Sequence, residues 1–491
     1  MRITNNMIQG NTKGNINSNK VLVDHYNTQM TTQKKISRPS EDPVIAIRSL
    51  RLSTSLTKLN QYADNNIPDA ESWLDVTETA LKNMKDILTD IRTQCVNGST
   101  DTLTADDRNT IKNNLQQLAD QIYAEGNADY AGRTVFTGYR TTSKLTFQTA
   151  EDNTKYEVDQ KFSFEDFKEH RYYYGQITVP DNAATPYGGA AIGEKEFQRI
   201  RFAYPGIDSL DKISFTDKEG NSAGAYNVTT YENEEAWKAN GVNVADNEIV
   251  FLKDSGELLF GKTAYSELKE KEANINVTYT KTGFDAGDVR PEYYYDCRNI
   301  TDPADPIIFK KEDQAINYDI AANTSLPVNT QASDVFDTSI ARDVEELINV
   351  VDAATAAHEK VDKIKAMLKE AQYSDKTSQE NLKSYLTAAQ KEADYADDNL
   401  QKTYAQYISN FDGYLHKANL AITNVGSISK RLQMTQTRVE NQQTTIEDLK
   451  STNEDRDMSD IIIDYYASYN AYTASLTAAS KIGQQTLLNY L

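Results

Sequence analysis

The sequence contains few residues of the kinds that build disulfide frameworks, metal sites and membrane spans. Its 491 residues include two cysteines, Cys95 and Cys297, and four scattered histidines. This set supplies neither a disulfide framework nor the ligand spacing of a zinc site. No segment approaches the roughly 20 apolar residues that cross a bilayer. We therefore expect no metal, no cofactor and no membrane insertion.

Positive charge is also in short supply. The chain has 52 Lys and Arg against 73 Asp and Glu, a formal net charge of −21 at pH 7. Because nucleic-acid binding requires a basic surface that faces the phosphates, this balance argues against nucleic acid as a partner. The acidic, polar composition is instead typical of a highly soluble protein.

The N-terminus departs from this overall balance. Residues 1–60 contain nine Lys and Arg and three Asp and Glu, a net of +6, which leaves −27 for the remainder. The first forty residues are crowded with Asn, Thr, Gln and Ser and include a single acid, Asp24. Such a segment cannot bury enough apolar surface to fold alone. It also lacks the apolar stretch of a cleavable signal peptide.

Helical periodicity dominates the N-terminal third, in a chain long enough for two or three domains. Two positions of each heptad are apolar or small from Ile67 onward, and four consecutive heptads predict a long helix in a coiled-coil-like bundle. These positions are Ile67, Leu74, Leu81, Leu88 and Cys95, and Ala70, Thr77, Met84 and Ile91. Asn97–Ser99 ends this helix, and Thr104 with Asp107 is a candidate capping box for the next one.

The middle of the chain has a different pattern. From about residue 144 to 335, short β-rich runs alternate with Gly, Asn and Asp. Examples are Tyr226–Tyr231, Glu248–Lys253 and Ile275–Tyr279. Alternation of this kind, bounded by turn residues, predicts strands. We expect an inserted β-rich domain, with one or two subdomains.

Helical periodicity returns after Asp337 and continues to about Leu449. A polar break at Ser451–Ser459 then interrupts it. Beyond the break a new apolar stripe begins, with Ile462, Tyr469 and Leu476 beside Tyr465 and Tyr472. The fold class is therefore mostly α with a β-rich insert in the middle of the chain. Long paired N- and C-terminal helices are expected to form a coiled-coil bundle.

Two motifs suggest enzymes, and both fail on context. Gly256–Thr263 satisfies the phosphate-loop pattern G-x-x-x-x-G-K-[ST]. Its inner residues include Leu258–Phe260, which are too bulky and too strand-like to cradle a phosphate, so we predict a β-hairpin here. His358 and Glu359 begin the zinc-protease pattern H-E-x-x-H, but position 362 is Asp rather than the second histidine. The sequence predicts no catalytic residues and no enzyme.

Both ends of the chain carry motifs of a known family. Met1–Met7, Ile36–Pro43, Gly132–Tyr139, Leu326–Asn329 and Asp455–Leu491 occur in the order found in that family. They resemble the flagellar hook-filament junction proteins (hook-associated protein 3) of the flagellin superfamily. Local physics agrees, since Asp42 can cap a helix that has Pro43 in its first turn. The insert shows no such resemblance.

The resemblance implies a layered domain organisation. Segments 1–42 and 452–491 would be inner terminal coiled-coil segments that are disordered before assembly. Segments 43–144 and 335–451 would form a helical bundle with a short hairpin. Segment 145–334 would be the β-rich inserted outer domain.

The resemblance also implies partners and a location. The expected partners are other copies of the chain in a ring, hook-associated protein 1 on the hook side, flagellin on the filament side and a cytoplasmic export chaperone. Type III export without a cleaved signal peptide would deliver the protein to the extracellular hook-filament junction of the bacterial flagellum.

An assembly interface is the only functional site that the sequence predicts. Its expected residues lie on the two terminal segments: Ile3, Met7, Ile462, Tyr465, Tyr469, Tyr472, Leu476, Leu487, Leu488 and Leu491. Flagellin itself is the alternative within the same class, because it shares terminal pairing and an insert. A flagellin-like metalloprotease and a secreted adhesin with a coiled-coil stalk are further alternatives.

Overall fold

Helices occupy both ends of the chain and strands its middle, as the sequence predicts. The computed structural model describes residues 5–100, 104–189 and 192–484. These residues form two compact units. The first comprises residues 5–71, 318–326 and 430–484, and the second comprises residues 72–317 and 327–429, apart from the gaps.

The α-helices of the described residues flank the strand-rich region, and two short ones lie within it. They are α1 (Asn5–Thr32), α2 (Pro43–Asn60), α3 (Ile67–Gly98), α4 (Ala105–Glu125), α5 (Glu234–Ala239), α6 (Lys262–Glu270), α7 (Ala332–Val335), α8 (Ser339–Met367), α9 (Lys376–Glu454) and α10 (Met458–Gln484). A π-helical turn over Gln61–Asn66 joins α2 to α3.

Capping residues set the helix starts where the sequence predicts them. Asp42 Oδ1 accepts hydrogen bonds from the amides of Val44 and Ile45 at 2.9 and 3.2 Å, and Pro43 opens α2. Thr104 and Asp107 form the predicted capping box at the start of α4. Each arrangement satisfies amides that have no partner within the helix.

The heptad positions of α3 are core positions, and those from Leu74 onward belong to the second unit. All nine predicted seam residues between Ile67 and Cys95 have no exposed surface. In the same unit α4 packs against α8. Lys112 Nζ lies 2.5 Å from Asp352 Oδ1, and the Tyr123 hydroxyl donates to the Asp337 carbonyl at 2.8 Å. Burial raises the pKa of the Cys95 thiol to about 12, so this cysteine is a packing residue and not a nucleophile.

Most strands belong to the predicted insert. They are β1 (Asp129–Tyr130), β2 (Arg133–Thr134), β3 (Glu151–Phe162), β4 (Lys168–Tyr174), β5 (Gly193–Arg201), β6 (Ser209–Thr216), β7 (Ser222–Gly224), β8 (Asn227–Tyr231), β9 (Glu248–Leu252), β10 (Glu257–Phe260), β11 (Asn274–Phe284), β12 (Asp296–Asn299), β13 (Ile307–Phe309), β14 (Asn317–Ala321) and β15 (Thr324–Pro327).

The insert contains two sheets that share an aromatic core. One sheet has the strand order β4-β5-β10-β9-β8, and the other has the order β13-β12-β3-β11-β6-β7. Pairing is antiparallel except between β8 and β9. The ring of Phe202 stacks on Phe251 of one sheet and on Tyr279 of the other, with centroid distances of 5.6 and 4.9 Å. Close aromatic stacking joins the sheets into one body.

The division into units differs from the bounds expected from sequence. The hairpin β14–β15, which lies inside the predicted insert of residues 145–334, belongs mostly to the first unit. There the Asn66 side-chain amide donates to the Asp319 carbonyl at 2.7 Å. The first unit also extends past the predicted limits at 42 and 452, because α2 and the last part of α9 pack within it. Periodicity marks helices, but it does not reveal which helices share a core.

A buried charged network attaches the insert to the helices of the second unit. Arg199 on β5 donates to Glu257 on β10 and to Glu346 on α8, both at 2.8 Å. Arg201, two residues further along β5, pairs with Asp343 on α8. All five side chains are at most 13% exposed. Buried charges of this kind are tolerated only when they are paired.

Three further residues complete the network. Asn410 and Tyr414 on α9 each donate to Asp343 Oδ2 at 2.9 Å. His170 on β4 places its Nδ1 atom 3.2 Å from Glu346 Oε1. Burial and the positive charge of Arg199 lower the pKa of His170 to about 4, so the ring is neutral at pH 7. Burial opposes ionisation of Glu346, but Arg199, His170 and Arg201 outweigh it and hold the pKa of that carboxyl well below its usual value.

Leu81→Ala tests the helical core. Leu81 has no exposed surface, so the truncation should lower the free energy of unfolding of the second unit by about 2–5 kcal/mol. Leu420→Ala on α9 is the control, because Leu420 is 54% exposed and its loss should change stability by less than about 0.5 kcal/mol. Urea titrations followed by circular dichroism would measure both, and equal losses would contradict the assignment of the core.

His170→Asn tests the network through its pH dependence. The pKa of His170 is lower in the folded chain than in the unfolded one, so the unfolded state takes up the proton first as the pH falls. Stability should therefore fall between about pH 6.5 and pH 4, by roughly 3 kcal/mol at most from this group. The variant should have a flatter profile over that range. Parallel profiles in urea titrations would show that His170 does not contribute.

Candidate assembly surface

The two ends of the chain meet in the first unit, where α1 packs against α10. A series of half-buried positions on α1 recurs at spacings of four and three, and α10 has a similar series. They are Thr12, Ile16, Asn19, Val23, Tyr26 and Met30 on α1, and Tyr465, Ser468, Tyr472, Ser475 and Ala479 on α10, after the buried Ile461. The Asn19 side-chain amide donates to Ser475 Oγ and to the Ala471 carbonyl, both at 3.4 Å. This spacing is that of a two-helix seam.

A short antiparallel bridge fixes the level at which the two helices start to pair. The Lys35 amide donates to the Glu454 carbonyl at 2.6 Å, and the Arg456 amide donates to the Gln33 carbonyl at 3.0 Å. Both chain segments leave their helices here, since α1 ends at Thr32 and α9 ends at Glu454. The predicted polar break thus carries the backbone pairing between segments more than 400 residues apart.

Charges reinforce the bridge. The Lys34 ammonium lies 3.1 Å from Glu454 Oε2 and 2.5 Å from Asp455 Oδ1. The hydrogen bond to Asp455 raises the pKa of Lys34, and its donation lowers the pKa of Asp455. Arg456 donates to Gln29 Oε1 at 2.7 Å. These groups are partly exposed, so they serve mainly to fix geometry and contribute little to stability.

The predicted interface residues of α10 fall into two groups. Tyr465 and Tyr472 are half-buried at seam positions, whereas Ile462, Tyr469 and Leu476 are 38, 45 and 41% exposed. The sequence pattern placed these five residues on one stripe. In the structure, the exposed residues lie on a face of α10 that is offset by one residue from the face that packs against α1. The exposed group is an apolar surface that no described residue of the chain covers.

The N-terminal and C-terminal extremes complete the set of predicted positions. Met7 on α1 is 52% exposed. Ile3, Leu487, Leu488 and Leu491 lie outside the described residues.

Tyr466 is an apolar surface residue that the sequence pattern missed. It is 61% exposed and lies four residues after Ile462 and three before Tyr469. Ile462, Tyr466, Tyr469 and Leu476 therefore follow a second heptad-like row, one residue out of phase with the seam to α1. We call these four residues the outer row. The sequence signal for Tyr466 was its position four residues after Ile462. A pattern of residues seven apart does not include it.

The residues of the phosphate-loop pattern form a hairpin and a helix start. Within Gly256–Thr263, the segment Glu257–Phe260 is strand β10 and is buried throughout. The amides of Thr263 and Ala264, at the start of α6, already donate to the Asp246 carbonyl at 2.9 and 3.0 Å. No loop of free amides faces outward, so the predicted hairpin is confirmed.

The protease-like pattern has no zinc geometry. His358 Nε2 lies 2.9 Å from Asp397 Oδ2, while Asp362 points its side chain into solvent at 79% exposure. Within the described ranges, no group of three His, Cys, Asp or Glu residues could hold a metal ion. Over the same ranges, no helix has the length and apolarity of a membrane span.

Adjacent isoleucines separate the two faces of α10. Ile461 has no exposed surface, whereas Ile462 is 38% exposed. Ile461→Asp buries an unpaired carboxylate and should destabilise the α1–α10 pair by more than about 2 kcal/mol. Ile462→Asp should change it by less than about 0.5 kcal/mol. Hydrogen exchange of α1 amides in dilute monomer would measure this, and equal loss of protection would show that Ile462 belongs to the intrachain seam.

Comparisons with known proteins find similarity in the N-terminal part of the chain. Residues 3–141 match the family model of the bacterial flagellin N-terminal helical region. Flagellar hook-associated protein 3 of Escherichia coli (strain K12) is 32% identical over 145 residues, which cover 28% of this chain and 43% of that protein. The protein of the same name from Salmonella typhimurium is 28% identical over 142 residues, which cover 29% and 44%.

The similarity is confined to part of each relative. The chain spans less than half the length of these curated relatives. Among solved structures, the junction protein FlgL from Legionella pneumophila aligns over 76% of this chain and 99% of its own, with 12% identity and a TM-score of 0.22. Those values are too low to establish a shared fold, so the similarity is carried by the N-terminal match. By that match, the N-terminal part of the chain is similar to the N-terminal helical region of bacterial flagellins and to flagellar hook-associated protein 3.

Proposed function

We propose that this protein is a structural subunit of the bacterial flagellum that joins hook-associated protein to the flagellin filament at the hook-filament junction. The outer row of α10 carries the proposal. Its four residues are between 38 and 61% exposed on a helix whose other face is already paired with α1. A protein rarely leaves a row of large apolar side chains open unless a partner covers it.

The outer row suits contacts between copies of the chain. Burying one Leu or Tyr side chain stabilises by roughly 1.5–3 kcal/mol, and a ring repeats that contact in every subunit. Tyrosine fits such an interface, because its ring packs against apolar groups while its hydroxyl stays at the wet rim. We infer a head-to-tail contact, because a closed ring of more than two copies is built from contacts that join different surfaces of neighbouring subunits.

The proposed partners and export route are those expected from the similarity to flagellar hook-associated proteins. The partners would be other copies in a ring, hook-associated protein 1, flagellin and an export chaperone, with export that uses no cleaved signal peptide. Segments 1–42 and 452–491 would pair weakly in the free chain and would reach full order only on assembly. Pairing of α1 with α10 is then the state that neighbouring copies stabilise.

Flagellin is the second candidate function. The flagellin of Clostridium tyrobutyricum is 30% identical over 122 residues, which cover 25% of this chain and 32% of that protein. Both hook-associated relatives match over a longer segment, which favours the junction role.

Leu476→Asp tests assembly separately from folding. Leu476 is 41% exposed, so the melting temperature of the purified monomer should stay nearly unchanged. A charge in the outer row should abolish incorporation and motility when the variant is expressed in a deletion strain. Thr477→Asp is the matched control, because Thr477 is exposed and lies outside the outer row. Normal motility with Leu476→Asp would contradict the proposed interface.

The deletion strain itself distinguishes the two candidates. A junction subunit predicts intact hooks with filament protein released into the medium. Loss of the bulk filament protein from cells and medium would instead identify the chain as flagellin. Electron microscopy and analysis of the medium report these outcomes independently of the Leu476 variant.

A further inference from the structure

A polar cleft lies between the insert and the helices of the second unit. Its walls come from β3, β4 and β5 on one side and from the start of α8 and the middle of α9 on the other. The cleft has a volume of about 510 Å³. Sites for small organic molecules fall in this range of volume.

The cleft is lined by more cations than anions, although the whole chain has a net charge of −21. The cations are Lys161, Lys168, Arg199, Arg201, Arg342 and Lys417, and the carboxylates are Asp166, Asp337 and Asp343. Each carboxylate is already engaged. Asp337 accepts from Lys417 at 2.7 Å, Asp166 accepts from the Ser163 amide at 2.6 Å, and Asp343 accepts from three side chains.

Four of the cations retain capacity for an acceptor. Lys161 and Lys168 are exposed and form no ion pair within the described part of the chain. Arg199 and Arg342 are 4 and 6% exposed, and the Nε–H group of each has no acceptor there. Buried N–H groups of native proteins are nearly always satisfied, so two incompletely used guanidinium groups along one cleft require an explanation.

The backbone amides at the start of α8 are not free to bind a ligand in the cleft. The amides of Ser339 and Ala341 at the start of α8 donate to Asp337 Oδ1 and to the Tyr123 hydroxyl, at 3.0 and 3.2 Å. Any anion in the cleft would therefore be held by side chains.

Gly413 is a second, independent observation. It lies in the interior of α9, where glycine is unfavourable, and it lines the cleft. A Cβ atom at this position would meet no atom within 4 Å, so packing does not require glycine. The absence of a side chain keeps the cleft open beside Ser409 and Asn410.

We propose that this cleft binds a small organic oxyanion that carries hydroxyl groups, either a sugar phosphate or a sugar acid. Lys161 and Lys168 pair with the phosphate or carboxylate at the mouth of the cleft. Arg342, whose Nη atoms already donate to Glu345 and to the Ser255 carbonyl, adds its Nε–H group. Ser409 and Asn410 offer hydrogen bonds to the hydroxyl groups. This binding site is separate from the outer row and does not depend on the assembly role.

Isothermal titration calorimetry on the full chain tests the proposal, with glucose 6-phosphate, glucuronate, glucose and inorganic phosphate as probes at constant ionic strength. Saturable binding of glucose 6-phosphate or glucuronate, with no binding of glucose, is expected. Whichever of the two binds more tightly identifies the anionic group. Binding of neither at millimolar concentration would overturn the proposal, and equal affinity for inorganic phosphate would overturn the hydroxyl contacts.

Paired variants separate binding from folding. Lys161→Gln with Lys168→Gln should weaken binding at least about tenfold, because charge-assisted hydrogen bonds are lost. Lys212→Gln, at an exposed lysine on β6, is the control. Gly413→Gln should fill the cleft and abolish binding without lowering the melting temperature, since glutamine is the better helix former.

Gly426→Gln on the same helix also meets open space, lies outside the cleft and should bind normally. Unchanged affinity in both the lysine pair and Gly413→Gln would overturn the site.

Discussion

The pairing of α1 with α10 is the constraint on which the assembly surface depends. These helices are more than 400 residues apart in sequence. The bridge between residues 33–35 and 454–456 sets the position along each helix at which their pairing starts. Because one face of α10 packs against α1, the helical periodicity determines which residues of α10 remain exposed on its other faces. The outer row is exposed because it lies one residue out of phase with the seam.

The second unit depends on a different kind of contact. Its insert is held to α8 and α9 by paired charges, with Arg199 and Arg201 opposite Glu346 and Asp343. A buried ion pair adds little net stability, but it strongly disfavours arrangements that leave either charge alone. The network therefore fixes the placement of the insert on the helices, and it borders the cleft in which Lys161 and Lys168 form no ion pair within the described residues.

Local rules and regular periods in the sequence predicted much of this structure. The nine seam residues of α3 are all buried, and Asp42 and Thr104 start their helices as expected. The charged network was not predictable, because its members lie far apart in sequence and a strand arginine usually indicates a solvent-facing position. The division of α10 into two faces was also missed. Tyrosine occurs on both faces, so composition does not reveal which face meets the same chain.

Site-specific photo-crosslinking with benzoylphenylalanine in place of Tyr469 or Tyr472 tests the central claim most directly. Tyr469 is in the outer row, and Tyr472 is in the seam with α1. We predict that position 472 crosslinks to α1 of the same chain in dilute monomer. Position 469 should crosslink only to another subunit, and only in assembled flagella. Crosslinking of position 469 to α1 in the monomer, or of position 472 between subunits, would contradict the account of two faces on α10.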